Sequence, residues 1–518
     1  MKPGSLSKWL IVLVIVAIPY LSSFSSTELL QKVELQFSFL NENRNPLEWK
    51  DSIVVTKADE CAYKLIFNVN EISGFKSLTL NIPPNLGEIT LNGEPVPLPF
   101  ENMRFESIPG IPVEMLNSGH NILIAKKVLT KLKKRKYAQK PGKPTTLSSE
   151  KVDFSLLGML AEDVKMVSGP VLGYASESII TMSARLNMPA ELKLELGNKS
   201  EISNSGLLHQ FKIEGLTPDT EYTYLLKARV NSDLEWMDIS DTYSVKTYPE
   251  NEKFSFIAMG DGRGNPEVWG EIAERVAGHN PLFCVNSGDM VGSGRNDVHW
   301  NYQLFDPAKE FFATIPFYPS IGNHEGSSSL FNKFFYTPSG TTNWKQDIGQ
   351  ITIIGIDGSQ DWSENSGNIH WLDAILSGSN AKFIFLFTHY PAWSSGKHGL
   401  MKDGIPIEKS MQESQQVILP LLAKYKTTAM IAGHDHHYER SETPGGTTVI
   451  VSGGAGADLR SVEPNDDNQN PYSKIISVEY HYCLISVDKD VCTMTVYNLK
   501  GEALDTRTWN SRSFNYKN

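Results

Sequence analysis

The chain has 518 residues, with 48 basic and 59 acidic side chains that leave a net charge of −11. Hydrophobic residues make up 40% and charged residues 21%, which is typical of a folded globular protein and excludes disordered and collagen-like classes. The length exceeds what one compact core can support and predicts three or four domains. The acidic balance argues against nucleic acid as a partner.

The N-terminus has the pattern of a secretory signal peptide. Lys2 and Lys8 lead into an apolar run from Trp9 to Leu21, and small serine residues follow. This run contains Pro19 and is shorter than the roughly 20 apolar residues of a membrane-spanning helix. We therefore expect residues 1–26 to be cleaved and the protein to be exported (secreted, periplasmic or cell surface), with no stable membrane span. A retained anchor is the alternative.

Residues 27–125 consist of short β-like runs separated by turn signals such as Asn92-Gly93 and Ser118-Gly119. This texture predicts an all-β sandwich domain. The segments Leu91–Val96 and Leu116–Ile124 resemble galactose-binding-like jelly rolls. The resemblance leaves two roles open for this domain, a structural spacer and a module that binds a glycan.

A basic stretch follows, in which nine Lys and Arg residues lie between Lys126 and Lys143 without an acidic residue. With its Pro and Gly residues it predicts an exposed linker over 126–151. Residues 152–249 are again rich in β-like runs and predict a second all-β sandwich. In it, Gly215–Tyr224 resembles the end of a fibronectin type III-like domain, of the kind that also precedes the catalytic unit of purple acid phosphatases.

From residue 250 to residue 518 the pattern changes to buried apolar strands that alternate with helices, which predicts an α/β domain. The predicted strands are Phe254–Met259, Leu282–Val285, Ile351–Ile356, Lys382–Phe387 and Ala429–Ala432. Asn265-Pro266 forms a helix start, with a capping side chain and proline at the first helical position.

Polar residues follow these strands at the point where each one ends. They are Asp261, Asp289, Asn323, His324, Glu325, His389, His434, Asp435 and His436. In open α/β folds the carboxyl ends of the strands border one crevice, so residues distant in sequence meet there. Carboxylate and imidazole ligands suit Zn, Fe, Mn or Co, and no cysteine is nearby. The sequence therefore predicts a metal site at this edge.

The motifs Gly322–Glu325 and Gly433–Arg440 resemble the calcineurin-like metallophosphoesterases, and within them the purple acid phosphatase-like branch. The resemblance extends over about 253–509 and implies an αββα sandwich with two divalent or trivalent metal ions, Fe, Zn or Mn. It also implies a ligand set in which one carboxylate is shared. Asp289 would bridge the two metals, Asp261 and His436 would bind the first, and Asn323, His389 and His434 would bind the second.

The same resemblance implies a reaction, the hydrolysis of a small phosphorylated substrate by attack of metal-bound hydroxide. The protein would be an acid phosphatase-like phosphoric ester hydrolase acting on a phosphomonoester, with a diester as an alternative. Asp289 and His324 would be catalytic, with His324 beside the phosphoryl group. His398 matches a substrate-side histidine of the purple acid phosphatases.

Two positions depart from the family pattern. Arg263 and Gly292 stand where family members carry a histidine or a tyrosine ligand of the first metal. We therefore expect no tyrosinate-to-Fe(III) charge-transfer band. Arg263 is interpreted either as a surface residue or as a substrate-binding guanidinium. The missing ligand keeps a second function open, a catalytically weakened phosphoesterase fold that acts as a binding module.

Overall fold

The computed structural model describes residues 154–249, 253–326, 329–462 and 469–512, together with the strand 145–148 and shorter stretches between 27 and 127. The predicted signal peptide at 1–26 and most of the predicted basic linker at 126–151 lie outside these residues. Within the described ranges, every helix is too short or too polar to cross a bilayer.

The first part of the chain is built from β-strands, as predicted. Its strands β1 to β11 are Thr27–Glu28, Glu34–Phe39, Ser52–Val55, Cys61–Val69, Ser77–Asn81, Glu88–Leu91, Glu94–Pro95, Ser107–Ile111, Gly119–Lys127, Thr145–Ser148 and Ser155–Met159. A four-stranded sheet (β1-β11-β5-β8) and a five-stranded sheet (β2-β4-β9-β6-β7) contribute to one hydrophobic core. The alternation of Leu65 and Phe67, both buried, shows how period-two apolar residues direct one face of β4 into this core.

Two strands lie near the predicted domain boundaries. Thr145–Ser148, within the predicted linker, pairs antiparallel with Ser52–Val55. Ser155–Met159, within the predicted second domain, pairs antiparallel with Ser77–Asn81 and so extends a sheet of the first domain.

The second part is a six-stranded antiparallel sheet. Strands β12 to β17 are Met166–Ala175, Ile179–Leu196, Lys199–Glu214, Glu221–Arg229, Met237–Asp238 and Tyr243–Lys246. Tyr224 is buried on β15 and its hydroxyl donates to the carbonyl of Ala313 in the third part at 2.6 Å. This contact ties the second sheet to the α/β domain.

The third part is the predicted αββα sandwich, with two central sheets between helices. The strands β18 to β32 are Lys253–Met259, Cys284–Asn286, Phe317–Pro319, Trp344–Ile348, Ile351–Gly355, Phe383–Phe387, Met401–Lys402, Ile405–Pro406, Ala429–Ala432, Tyr438–Glu442, Thr448–Ser452, Ser473–Ser477, His481–Asp488, Val491–Asn498 and Ala503–Asn510. The α-helices α1 to α7 are Pro266–Gly278, Asp297–His299, Lys309–Thr314, Phe331–Phe334, Gly367–Gly378, Lys409–Glu413 and Leu419–Lys424. Sheet orders are β20-β19-β18-β30-β31-β32 and β21-β22-β23-β26-β28-β27-β29.

Side-chain alternation explains the four layers. On β23, Phe385 faces the core between the two sheets and meets Phe256 of β18 edge-on at 5.5 Å. Leu386 faces the opposite side and packs in the core formed with α5 and α7. Trp269 of α1 packs on the outer face of the other sheet beside Met259.

The C-terminal hairpin has the predicted register, with Cys483 opposite Val496 and Val487 opposite Cys492. Both thiols are buried and form no disulfide, since the register separates them along the hairpin.

Candidate metal centre

The five candidate ligands that follow strands lie at one edge of the two sheets. Asp261 follows Lys253–Met259, Asp289 follows Cys284–Asn286, Asn323 follows Phe317–Pro319, His389 follows Phe383–Phe387 and His434 follows Ala429–Ala432. Within each sheet the strands that carry them run parallel, so their carboxyl ends point in the same direction. His436 follows two residues after His434. The structure brings the predicted metal, catalytic and substrate-side residues together, namely Asp261, Arg263, Asp289, Asn323, His324, His389, His398, His434 and His436.

Three of these residues have left-handed backbone conformations, which are uncommon outside glycine. The φ angles are 60° at Asp261, 55° at Asp289 and 74° at His434. Backbone hydrogen bonds hold two of them in place. Asp261 N–H donates to Gly288 O, and His434 N–H donates to Asp261 Oδ2, each at 2.9 Å. Such conformations are costly and concentrate at functional sites, where the surrounding structure maintains them.

Asp289 is the central carboxylate, and its two oxygens face different groups. Its Oδ1 lies 3.4 Å from His389 Nε2 and accepts the backbone N–H of His324 at 2.9 Å. Its Oδ2 lies 3.3 Å from Arg263 Nε and 3.7 Å from His324 Nε2. Burial alone would raise the pKa of Asp289, but the neighbouring histidines outweigh it and lower that pKa. The carboxylate is therefore ionised and shared between two sides of the site.

One side of Asp289 holds a compact group of four donor atoms. Asn323 Oδ1 and His434 Nδ1 each lie 3.1 Å from His389 Nε2, and Asp289 Oδ1 lies 3.4 Å from it. The other ring nitrogens have partners. His389 Nδ1 donates to Ser287 O at 3.0 Å and His434 Nε2 donates to Glu408 at 2.8 Å. These bonds occupy the outer nitrogen of each ring and leave His389 Nε2 and His434 Nδ1 facing each other beside the two oxygens, an arrangement that fits a bound cation.

The other side of Asp289 holds a second group of atoms, at the position predicted for the first metal. Asp261 is fully buried and its Oδ1 has no hydrogen-bond partner among the described residues. His436 Nε2 lies 3.5 Å from that oxygen, while His436 Nδ1 donates to Asp458 O at 2.7 Å. Burial raises the pKa of Asp261 well above its usual range and lowers the pKa of His436 to about 3. An unsatisfied buried carboxylate beside a neutral imidazole also fits a cation site.

Arg263 borders this second group. Its Nε is 3.3 Å from Asp289 Oδ2 and its Nη2 is 3.4 Å from His436 Nε2. Its side chain is 18% exposed. Arg263 is thus in contact with candidate ligands and is not a surface residue.

A side chain at Gly292 would require Gln303 and His299 to move. A Cβ atom there would be 3.2 Å from Gln303 Oε1 and 3.3 Å from His299 Nδ1. The Gly292 N–H donates to that same Gln303 oxygen at 2.7 Å. Gln303 and His299 therefore occupy the space that a side chain at position 292 would need.

The two predicted substrate-side histidines border the site. His324 Nδ1 is 2.7 Å from Gly292 O, which directs Nε2 toward Asp289. The His398 ring lies 3.8 Å from the His434 ring, centroid to centroid. Both side chains are partly exposed, at 28% and 22%.

Glu325 is one of the predicted strand-end residues, but no ligand role was predicted for it. Its buried carboxylate accepts the backbone N–H groups of Asp289 and Gly322 at 2.9 Å and of Met290 at 2.8 Å. Burial and the Asp289 charge raise the pKa of Glu325 to about 7. It ties together the loops that carry Asp289 and Asn323.

Glu408 also belongs to the site, although it is not among the residues predicted from the sequence. It is bonded to His398 Nδ1 at 2.5 Å through one oxygen and to His434 Nε2 at 2.8 Å through the other. It lies beyond the strand ends, in a segment without an apolar period, so no sequence signal points to it.

Comparison with known proteins agrees with this geometry. The calcineurin-like phosphoesterase family model matches residues 239–438. Human tartrate-resistant acid phosphatase type 5 is 29% identical over 243 residues, covering 38% of this chain and 71% of that protein. Fe(3+)-Zn(2+) purple acid phosphatase 12 of Arabidopsis thaliana is 25% identical over 266 residues, covering 46% of this chain and 53% of that protein.

A further relative carries a different description. Probable inactive purple acid phosphatase 1 of Arabidopsis thaliana is 22% identical over 351 residues, covering 55% of this chain and 56% of that protein. The chain thus spans little more than half the length of this relative.

Among solved structures, a purple acid phosphatase from yellow lupin seeds (Lupinus luteus) superposes with a TM-score of 0.60 at 14% identity, covering 89% of this chain and 96% of that one. The resemblance seen in the sequence motifs is confirmed, and the fold extends over most of the chain. This chain therefore carries a calcineurin-like metallophosphoesterase domain with the purple acid phosphatase fold.

Proposed function

We propose that this protein is a phosphoric ester hydrolase that works through two metal ions, one on each side of Asp289. The observation that carries the proposal is the convergence of three donor atoms, from Asp289, Asn323 and His434, within 3.4 Å of His389 Nε2. The names of two relatives, a tartrate-resistant acid phosphatase and an Fe(3+)-Zn(2+) purple acid phosphatase, support the reaction class and the metals.

The donor set fits Fe, Zn or Mn, because it consists of imidazole nitrogens and carboxylate and amide oxygens. When bound, two such cations lower the pKa of a water molecule and neutralise charge on phosphoryl oxygens. The chain's own contribution is to hold the ligands without rearrangement. Asp289 supplies one anionic oxygen to each side, and Asn323 supplies a neutral oxygen to one of them.

The partly exposed histidines would handle substrate and protons. His324 Nε2, directed toward Asp289 by the bond from Nδ1 to Gly292 O, can donate a proton to the leaving oxygen when the ring is protonated. His398, whose ring lies 3.8 Å from that of His434, would bind the phosphoryl group. Arg263 would supply a further positive charge to phosphoryl oxygens once released from Asp289.

The substrate we propose is a small phosphomonoester, with a diester as the alternative. We also propose export, because the first 26 residues have the composition of a signal peptide.

A second candidate is a catalytically weakened fold that serves as a binding module. Arg263 in place of a metal ligand favours it, as does a relative described as probably inactive. A glycan-binding role for the first β domain gains no support, because Phe100 and Phe105 are buried and stack on each other at 6.4 Å.

The test is hydrolysis of p-nitrophenyl phosphate and bis(p-nitrophenyl) phosphate by the purified protein, compared with Asp289→Ala. Asp488→Ala, an exposed carboxylate on the distal hairpin, is the matched control. Turnover of the monoester that is lost in Asp289→Ala and kept in the control supports the enzyme. Metal binding without turnover of either ester, under Fe, Zn and Mn, would favour the binding module.

A further inference from the structure

Arg263 contacts the groups on one side of the metal centre and none on the other. Its guanidinium lies 3.3 Å from Asp289 Oδ2 and 3.4 Å from His436 Nε2. These are two of the three atoms, with Asp261 Oδ1, that would bind the first cation. The group around His389 Nε2 uses the other Asp289 oxygen, Oδ1, and is completed by Asn323 and His434.

The first position nevertheless keeps the features of a cation site. Asp261 Oδ1 is buried without a hydrogen-bond partner, and His436 Nε2 is 3.5 Å away. Among the described residues, the positive charge nearest to Asp289 Oδ2 is the Arg263 guanidinium, whose Nε lies 3.3 Å away. The Arg263 guanidinium contacts two of the three atoms that would bind the first cation. A cation can therefore enter this position only if the guanidinium moves.

We infer that Arg263 competes with the first cation for Asp289 and His436, so that the two metal positions fill separately. The second position, at Asn323, His389 and His434, binds its cation tightly. The first position binds weakly and reversibly, and its occupation expels Arg263 toward the open face of the site. This inference rests on the proposed metal centre and specifies how it is loaded.

The physical basis is charge. A guanidinium and a divalent cation that share the same ligand oxygen lie within a few Å of each other, where like charges repel strongly at the effective dielectric of a partly buried site. Arginine does not lose its proton to relieve this repulsion. The first cation must therefore displace the side chain, and the energy of two contacts is subtracted from its binding.

The experiment measures cation binding directly on the full chain. Protein stripped with a chelator is dialysed to equilibrium against a series of Zn²⁺ concentrations, and bound zinc is counted by mass spectrometry. Wild type is compared with Arg263→Ala, which removes the charge, and Arg263→His, which replaces it by a ligand. Arg460→Ala is the comparison variant, because Arg460 also places a positive charge near His436 but its guanidinium donates to the backbone carbonyl of His434 and not to a ligand atom. Circular dichroism checks that each variant is folded.

We expect one tight and one weak zinc in wild type. Both Arg263 variants should strengthen the weak site at least about tenfold, with Arg263→His stronger than Arg263→Ala and the tight site unchanged. Arg460→Ala should change the zinc affinity of the weak site by less than either Arg263 variant does. Two equally tight zinc ions in wild type, or a weak site that is unchanged in both Arg263 variants, would overturn the inference. Zinc binding that Asp289→Ala leaves intact would instead overturn the proposed metal centre.

Discussion

Glu408 accepts a hydrogen bond from His434 Nε2 at 2.8 Å and thereby fixes which nitrogen of that ring faces the other ligands. The second oxygen of the same carboxylate is bonded to His398 at 2.5 Å. Glu408 therefore joins a candidate metal ligand to a candidate substrate-side histidine. The two rings are in turn in contact, tilted by 38° with centroids 3.8 Å apart, so displacement of one would disturb the other.

Replacement of Glu408 tests this link. Glu408→Ala should reduce metal affinity at the second position and kcat/KM by about 10–100-fold, because a carboxylate that orients a ligating histidine has effects of that size. Equilibrium dialysis and steady-state kinetics measure the two effects. Glu364→Ala, an exposed carboxylate, is the control. Unchanged zinc affinity in Glu408→Ala would mean that Glu408 does not orient His434.

Glu325 should matter for stability. Its carboxylate accepts N–H groups from the loops of Asp289 and Asn323, and a glutamine would direct an NH₂ group toward some of these donors. We expect Glu325→Gln to lower the free energy of unfolding by about 2–4 kcal/mol, since charged acceptors and buried unsatisfied donors carry costs of this order. Denaturant unfolding measures it. A variant as stable as wild type would show that these bonds are replaced easily.

Removal of the metals should destabilise the protein. Asp261 and Asp289 are buried carboxylates, and without cations the folded protein cannot ionise both of them without a cost in desolvation and repulsion. Adding Zn²⁺ back at about 100 times its dissociation constant should stabilise the protein by about 2.7 kcal/mol. Calorimetry of the stripped and reloaded protein gives the difference. An identical unfolding temperature for both forms would contradict specific binding to the folded state.

The contribution of Asp505 to the stability of the protein should depend on pH. It accepts bonds from Arg440 Nε at 2.6 Å and Tyr438 hydroxyl at 2.7 Å, behind the ligand segment. Burial raises its pKa, but these bonds outweigh burial and lower it. A depressed folded-state pKa means that the stabilisation is present above the ordinary Asp pKa and is lost as pH falls below it.

Asp505→Asn should therefore be less stable than wild type by about 1–3 kcal/mol at pH 7. The difference should shrink as the pH approaches 3. Urea unfolding at several pH values measures it. A difference that stays constant with pH would mean that the charge of Asp505 is not what stabilises this cluster.

The iron-loaded protein should show no tyrosinate-to-Fe(III) band in its visible spectrum. Gly292 offers no phenol, and Gln303 and His299 lie 3.2 and 3.3 Å from where its Cβ would be. Absorption spectroscopy of the reconstituted protein checks this. A purple protein would require another tyrosine to reach the metal.

The ligand residues were predictable because they follow buried apolar strands, and strand direction alone brings such residues to one edge. The αββα layers were predictable for the same reason, since runs such as Phe383–Phe387 are apolar on both faces. The predicted buried thiols at Cys483 and Cys492 followed from the register of their hairpin.

Other features depend on contacts that no local pattern encodes. Glu408 reaches His434 across 26 positions of sequence, and Ser155–Met159 pairs with a strand more than 70 positions earlier. The sequence shows that Arg263 departs from the family pattern, but it does not show where the side chain lies. Only the three-dimensional arrangement places its guanidinium against Asp289 and His436.

The most direct test of the account is an anomalous difference map from a crystal of the zinc-loaded protein, recorded at the zinc absorption edge. We expect a strong peak about 2.0–2.2 Å from His389 Nε2, His434 Nδ1, Asn323 Oδ1 and Asp289 Oδ1. A weaker peak should lie on the Asp261 and His436 side of Asp289. A map without a peak among those four atoms would contradict the metal centre and the phosphoesterase activity proposed from it.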